Sequence, residues 1–344
     1  MKRKYVLRGS TLVIGAALAL TGCSSVGSVG GGSTTAASPK DMVMVTVVKA
    51  QSIPWFQRMD VGVKAFAKRT GIDARQEGAD DVSPEKQVKI VQDLIAQRPT
   101  AITVVPNSPE ALSSVLKQAR DQGIKVVSHE GTGMANVDID IEAFDNASYG
   151  KSIMENLSTC MGGKGEYVQF VGSLTAKTHM EWVEAALADQ TTNFPGMKRV
   201  ESPIESTDDQ GTAYARAKEV LAKYPNITGF QGSAGNDVPG IARAVQEAGL
   251  QDKICVMGTS IPSVANQYLA DGSIDKIFFW DPALAGEAQL KIAQILATGG
   301  SIKEGTDLGI EGYKSLKKLA GYDNVYVGAA SVAADAKTAA TYKF

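Results

Sequence analysis

Apolar and polar positions alternate in blocks along this chain. Val43 to Val48 is a run rich in β-branched residues, the pattern of a strand buried on both faces. A short loop broken by Pro54 follows, and Phe56 to Thr70, with apolar Val61, Val63, Ala65 and Phe66, reads as an amphipathic helix. The alternation continues through strand Ile72 to Gln76 and a helix from Ser83-Pro84-Glu85 to Gln97. Strand Ala101 to Val105, helix Pro109 to Gln122 closed by Gly123, and strands Ile124 to Ser128 and Val137 to Ile141 complete the first series. A second series starts after Asp145-Asn146. It runs through helix Lys151 to Cys160, strand Glu166 to Val171, helix Thr178 to Gln190, strand Lys198 to Ser202 and helix Asp209 to Lys223. Strand Ile227 to Gln231, helix Val238 to Ala248, strand Ile254 to Met257, helix Pro262 to Asp271, strand Ile274 to Trp280 and helix Ala283 to Thr298 follow. Strand and helix in strict alternation predict an α/β fold with doubly wound parallel sheets, and two series of about 100–130 residues predict two lobes.

Composition adds the location. The 344 residues are 44% hydrophobic and 21% charged, ordinary for a globular chain. Residues 1–22 carry a basic start, an apolar run from Leu12 to Leu20 and small residues, which reads as a secretory signal too short to span a membrane as a helix. Residues 23–40, rich in Gly, Ser, Thr and Ala, read as a flexible tether. Loss of Lys2, Arg3, Lys4 and Arg8 with the signal leaves 31 basic against 37 acidic residues, a net charge of −6. With no basic block, nucleic acid is not an expected partner. The two histidines, His129 and His179, stand far apart in sequence, and no metal or cofactor constellation is visible. Cys160 and Cys255 are expected as lone buried thiols in helix and strand, with pairing outside the cell the alternative.

Candidate chemistry collects just past the strand ends, the edge where open α/β sheets bind ligands. In the first series that edge offers Lys49, Trp55, Phe56 and Glu130; in the second, Thr178, His179, Asn236, Asp237, Trp280 and Asp281. Aromatic faces cover the C–H surface of a sugar, while carboxylates and amides bond neighbouring hydroxyls in fixed geometry. Each residue also has a plainer reading. Trp55 and Phe56 suit a core, although Trp55 directly after Pro54 is hard to bury. Glu130 can cap a loop or pair with a lysine, and Lys49 at a buried strand end needs a partner or solvent. Asn236-Asp237 and Asp281 precede helices and suit capping. His179 on a first helical turn suits the surface equally well.

The segment Leu20-Thr21-Gly22-Cys23 resembles the bacterial lipoprotein box, which implies cleavage before Cys23 and lipidation of its thiol. Together with the two α/β series, the chain from about residue 42 onward resembles solute-binding proteins of sugar ABC importers. Pro54-Trp55-Phe56 is similar to the Pro-Phe-Phe of ribose binders. Glu130 stands where that family ends a strand in a ligand-binding Asp, and Asp145-Asn146 and Asn236-Asp237 match its lobe-crossing and second-lobe pairs. Gly258-Thr259-Ser260-Ile261-Pro262, Phe279-Trp280-Asp281 and Tyr342-Lys343-Phe344 resemble the autoinducer-2 and rhamnose branch, in which Lys49 takes the place of a ligand lysine. Departures are Thr178-His179 in place of an Asp-Gln ligand pair, Ser233 and Gly235 near other contacts, and Gly131 where ribose binders have arginine.

The resemblance implies a periplasmic binding protein type I fold, two lobes joined by a three-segment hinge. It places residues 41–145 and about 279–304 in the first lobe, and 146–278 and about 305–344 in the second. It implies a small sugar, deoxysugar or polyol closed into the cleft, a permease of the ABC transporter as partner, a membrane reached through the lipid anchor, and an extracytoplasmic monomer. Two readings compete. One is a receptor for an autoinducer-2 type signal. The other is a sugar-processing enzyme with Glu130, Asp281 and His179 as acid–base groups, against which stands the absence of a nucleophile motif or phosphate loop.

Overall fold

The computed structural model describes residues 38–344; the signal, Cys23 and the tether as far as residue 37 lie outside them. The first series forms β1 (Val43–Val48), α1 (Pro54–Thr70), β2 (Asp73–Gly78), α2 (Pro84–Gln97), β3 (Ala101–Val104), α3 (Pro109–Asp121), β4 (Lys125–Ser128) and β5 (Ile139–Glu142). The second forms α4 (Asn146–Met161), β6 (Gly165–Val171), α5 (Lys177–Asn193), β7 (Met197–Arg199), β8 (Ile204–Glu205), α6 (Gln210–Lys223) and β9 (Ile227–Gly232). It continues through α7 (Asp237–Glu247), β10 (Cys255–Thr259), α8 (Pro262–Ala270), β11 (Lys276–Phe279) and α9 (Pro282–Ala297). The chain closes with β12 (Lys317–Lys318), β13 (Val325–Val327) and β14 (Val332–Ala334).

Two sheets result, β12-β13-β5-β4-β3-β1-β2 and β14-β11-β10-β9-β6-β7, the latter with β8 beside β6. Both are parallel except at β12 and β14, so the expected α/β class is met. In the first sheet β2 lies outside β1 and β3 on its other side; in the second, β7 and β8 lie outside β6 and β9 on its other side. Strand order therefore reverses at β1/β3 and at β6/β9, where adjacent loops diverge and leave a crevice. β1 shows why its run is apolar throughout: Met44 and Val48 enter one core cluster, Val45 and Val47 another. Burial of each such side chain is worth about 1.5–3 kcal/mol.

Helix boundaries follow local chemistry. Ser83 and Ser108 cap α2 and α3 by accepting from Lys86 and Ala111 N–H, and Gly71 at φ 73° ends α1. Gly150 lets α4 approach α5: a Cβ there would sit 2.2 Å from the Trp182 carbonyl oxygen. That contact fixes the helix carrying His179 and Trp182.

Crossings between the lobes occur after β5 and after β11, with α9 returning to pack on α1 and the first sheet. The third differs from expectation. Residues 305–344 do not stay with the second lobe, because β13 pairs in parallel with β5 and β12 pairs with β13; the return crossing lies between Val327 and Val332. Apolar Val325 and Val327 extend a buried sheet edge, a long-range pairing that local pattern does not reveal. Gly328 and Ala330 N–H donate to the Glu142 and Ala143 carbonyls, tying the first and third crossings together. The thiols also depart from expectation: Cys160 and Cys255 form a disulfide with Cα atoms 6.1 Å apart, joining the end of α4 to the start of β10, and Cys160 is exposed rather than buried.

Candidate functional site

The carboxyl ends of β1 and β4 deliver the first wall. Lys49, directly after β1, is 3% exposed, and Glu130, two residues after β4, is 4% exposed; Nζ and Oε2 are 2.6 Å apart. Burial works against the Lys49 charge, but Glu130, Asp208 and Glu142 outweigh it and its pKa is raised. Glu130 has φ 60°, a left-handed backbone uncommon outside glycine. The Asn107 amide donates to the Lys49 carbonyl, and Gln87 donates to those of Val48 and Val105 while accepting from Asn107 N–H. These bonds set the two switch-point strand ends against each other.

Aromatic rings fill the seam. Trp280, at the second crossing, is surrounded by Trp55 at 4.6 Å between ring centroids, Phe144 at 5.1 Å, and Trp182 and His129 each at 5.8 Å. His129 Nδ1 lies 2.6 Å from the Ile141 carbonyl, which only accepts, while its Nε2 accepts from the Trp280 N–H at 3.2 Å. Both contacts require the neutral Nδ1–H tautomer, and burial correspondingly lowers its pKa. His179 Nδ1 accepts from Gly172 N–H at 3.2 Å, so its proton sits on Nε2. Its pKa is well below the ordinary value, through burial first and Lys49 second.

The second wall comes from α5 and the ends of β9 and β10, through His179, Trp182, Ser233, Gly235 and Thr259. Of the residues expected at the site, Lys49, Trp55, Phe56, Glu130, His179 and Trp280 surround one small gap of about 20 Å³. Trp55 is 5% exposed, buried in the first turn of α1, because Trp280 and Gly235 lie against it. Its Nε1–H and the Ser233 hydroxyl are buried without a hydrogen-bond partner among the described residues.

Thr178, Asn236, Asp237 and Asp281 do not border this gap. Thr178 is fully buried. Asn236 donates to the Asp208 carbonyl at 2.8 Å and faces an outer chamber. Asp237 Oδ2 accepts from Ser233 and Ala234 N–H, holding the loop after β9, and burial pushes its carboxyl up to about 7. Asp281 takes the plainer role: it caps α9 through Ala283 N–H and receives both Arg58 Nε and Nη2, at 2.8 and 2.6 Å. A cap needs its carboxylate turned to its own helix, which points it away from the gap.

Trp182 and Asp208 border the gap without standing out in the sequence. Ser233 and Gly235 just past β9, and Thr259 at the end of β10, which the resemblance had brought forward, border it as well. Trp182 lies inside a helix, three residues after His179. Asp208 precedes the α6 cap Asp209 and reads as part of the same turn.

Hydrogen bonds also cross between lobes away from the gap. Thr132 Oγ1 lies 2.8 Å from Glu181 Oε2 and 3.2 Å from Glu142 Oε1; Asn146 donates to Glu181 and accepts from the Trp182 N–H. Thr175 donates to the Asn107 carbonyl at 3.2 Å. Nearby Asp140 is raised by burial and by the negative field of Glu181, and Glu142 by burial and the fields of Asp140, Glu130 and Glu181.

Known proteins share this fold. The family described as periplasmic binding protein domain matches residues 44–301. A D-ribose/D-allose-binding protein of Pseudomonas aeruginosa is 25% identical over 271 residues, 75% of this chain and 82% of its own length. A D-xylose-binding periplasmic protein of Haemophilus influenzae is 22% identical, over 64% of this chain and 66% of its own. LsrB from Clostridium saccharobutylicum, solved with AI-2, superposes with TM-score 0.80 at 17% identity, covering 88% of this chain and 100% of that one. By the extent of the family match and the two-lobed fold built around one crevice, this chain belongs to the periplasmic binding protein domain family.

Proposed function

We propose that this chain is an extracytoplasmic solute-binding protein of an ABC importer, not an enzyme, which closes on a small sugar, deoxysugar or polyol between its lobes and passes it to a permease. The observation carrying this reading is convergence: aromatic faces of Trp55, Trp280 and Trp182, a charged pair, and two unpartnered buried polar groups from opposite lobes meet at one gap. Buried polar groups without partners are costly, so they mark places where a ligand's hydroxyls restore hydrogen bonds. The ribose/allose-binding and xylose-binding relatives, and a Clostridium phytofermentas solute-binding protein holding L-rhamnose at TM-score 0.78, support the sugar class. Lys49, Trp55, Phe56, Glu130, His179 and Trp280 form the proposed contact set, with Trp182, Asp208, Ser233 and Thr259 added. Asn236 and Asp237 hold the loops that carry these residues, and Thr178 is buried in α5 beside His179.

A thermal-shift screen of the purified protein against about a hundred sugars and polyols tests this, since ligand at 100 times Kd stabilises by about 2.7 kcal/mol. No shift across the panel would sink the reading, and turnover of a bound sugar would favour the enzyme. A receptor for an autoinducer-2 type signal is the second reading, favoured by the likeness to LsrB and by Lys49 with Glu130 at the gap. Thr178-His179 argues against identical ligand geometry. Anchoring through Cys23 is part of the proposal; Cys23→Ala releases the protein from membranes if it holds.

A further inference from the structure

The gap has an antechamber. A second cavity, bordered by Ser52, Asp80, Asp81, Asp209 and Asn236, shares two residues with the inner one, Ile53 and Asp208. Asp208 thus stands at the neck between them. It is 8% exposed, and its carboxylate makes no hydrogen bond or ion pair among the described residues. The position is built. Thr207 and Asp208 both take left-handed backbone, φ 58° and 52°, and Asn236 pins the Asp208 carbonyl. Gly172 leaves the space the carboxylate occupies, since a Cβ there would fall 2.4 Å from its Oδ1.

The charges around it do not cancel. Lys49 is spent on Glu130, both histidines are neutral, and Lys86 is held by Asp80 and Asp81 at 2.8 Å each. Five carboxylates face two ammonium groups along the path from antechamber to gap.

We propose that Asp208 is a specificity-determining residue, which demands a pair of hydrogen-bond donors from the ligand, as vicinal hydroxyls or an ammonium supply, and turns away ligands bearing a carboxylate or phosphate. Two carboxylate oxygens accept two donors in fixed geometry. An anion beside Asp208 in a buried neck meets repulsion that, among the described residues, only Lys49 opposes, and Lys49 is already bonded to Glu130. This inference rests on the sugar-binding reading and sharpens it.

Calorimetric titration of the full protein tests it with D-ribose, D-allose, D-xylose, L-rhamnose, D-tagatose and D-arabinose, each beside its aldonate or terminal phosphate ester. The expected result is an anionic partner at least tenfold weaker than the neutral sugar that binds, with Asp208→Asn narrowing that ratio at least threefold. Anionic and neutral forms within twofold of each other, or an unchanged ratio in folded D208N, overturn the proposal and leave sugar binding standing. If D208N does not fold, D208S substitutes in the same titration: its ratio narrows at least threefold, and an unchanged ratio overturns the proposal. If no probe binds, the sugar reading falls and this inference with it.

Discussion

Lys49 and Glu130 illustrate how much one buried pair demands. Each is nearly sealed from water, so removing one charge strands the other. Glu130→Gln is expected to destabilise the protein by about 3 kcal/mol in urea unfolding; an unchanged midpoint would mean that water reaches Lys49. A cleaner probe of binding is Trp55→Phe, which keeps an aromatic face and deletes the unpartnered N–H. Affinity for the cognate ligand should fall about tenfold with little change in melting temperature, and equal affinity would remove the indole nitrogen from the site. Both histidines are committed to neutral tautomers by their partners. NMR titration from pH 5.5 to 8 should show neither ring charging.

Among the elements, α5 does most to join the lobes. Its Glu181 accepts from Thr132 of the first lobe and from Asn146 at the first crossing, while Trp182 donates to that same Asn146. Thr132→Val removes the hydroxyl shared by Glu142 and Glu181 and leaves two carboxylates facing an apolar group. Small-angle scattering of the unliganded variant should show a larger mean radius than wild type, and identical curves would deny the latch a role in closure. The α4–β10 disulfide acts differently, restricting the unfolded chain across 95 residues of separation. Replacing both cysteines by serine should cost about 4.7 kcal/mol on the chain-entropy account. For Cys160 and Cys255 the sequence left pairing as the alternative to lone buried thiols, because pairing depends on how α4 lies over the second sheet.

Stability across pH belongs to the whole molecule. Burial raises Asp237 to about 7, and Asp140 and Glu142 also lie above their ordinary values. Carboxyls raised in the fold keep protons that the unfolded chain loses above about pH 4, so stability falls as pH rises from there through about 7. His129 and His179 act oppositely: their lowered values make stability rise with pH, up to the ordinary histidine value of 6.5. Above 6.5 only the carboxyls act. Stability should therefore fall by about 1–2 kcal/mol between pH 6.5 and 8, and calorimetry showing a rise would contradict the buried acids.

Local pattern was enough to determine the elements, the two series and the family. β-branched runs, prolines at first turns and helix-closing glycines act on neighbouring residues, so Val43–Val48 and Pro84 announce themselves. Strand ends also brought Lys49, Trp55, Glu130 and Trp280 forward, because parallel topology sends those ends to one edge. Tertiary structure alone decided that β12 and β13 return to the first sheet, that Asp281 serves Arg58 and its own helix, and that Trp182 and Asp208 border the gap. Sequence fixes what a side chain can bond. Which partner it meets depends on contacts made hundreds of residues away, and that choice separates a cap from a wall of the cleft.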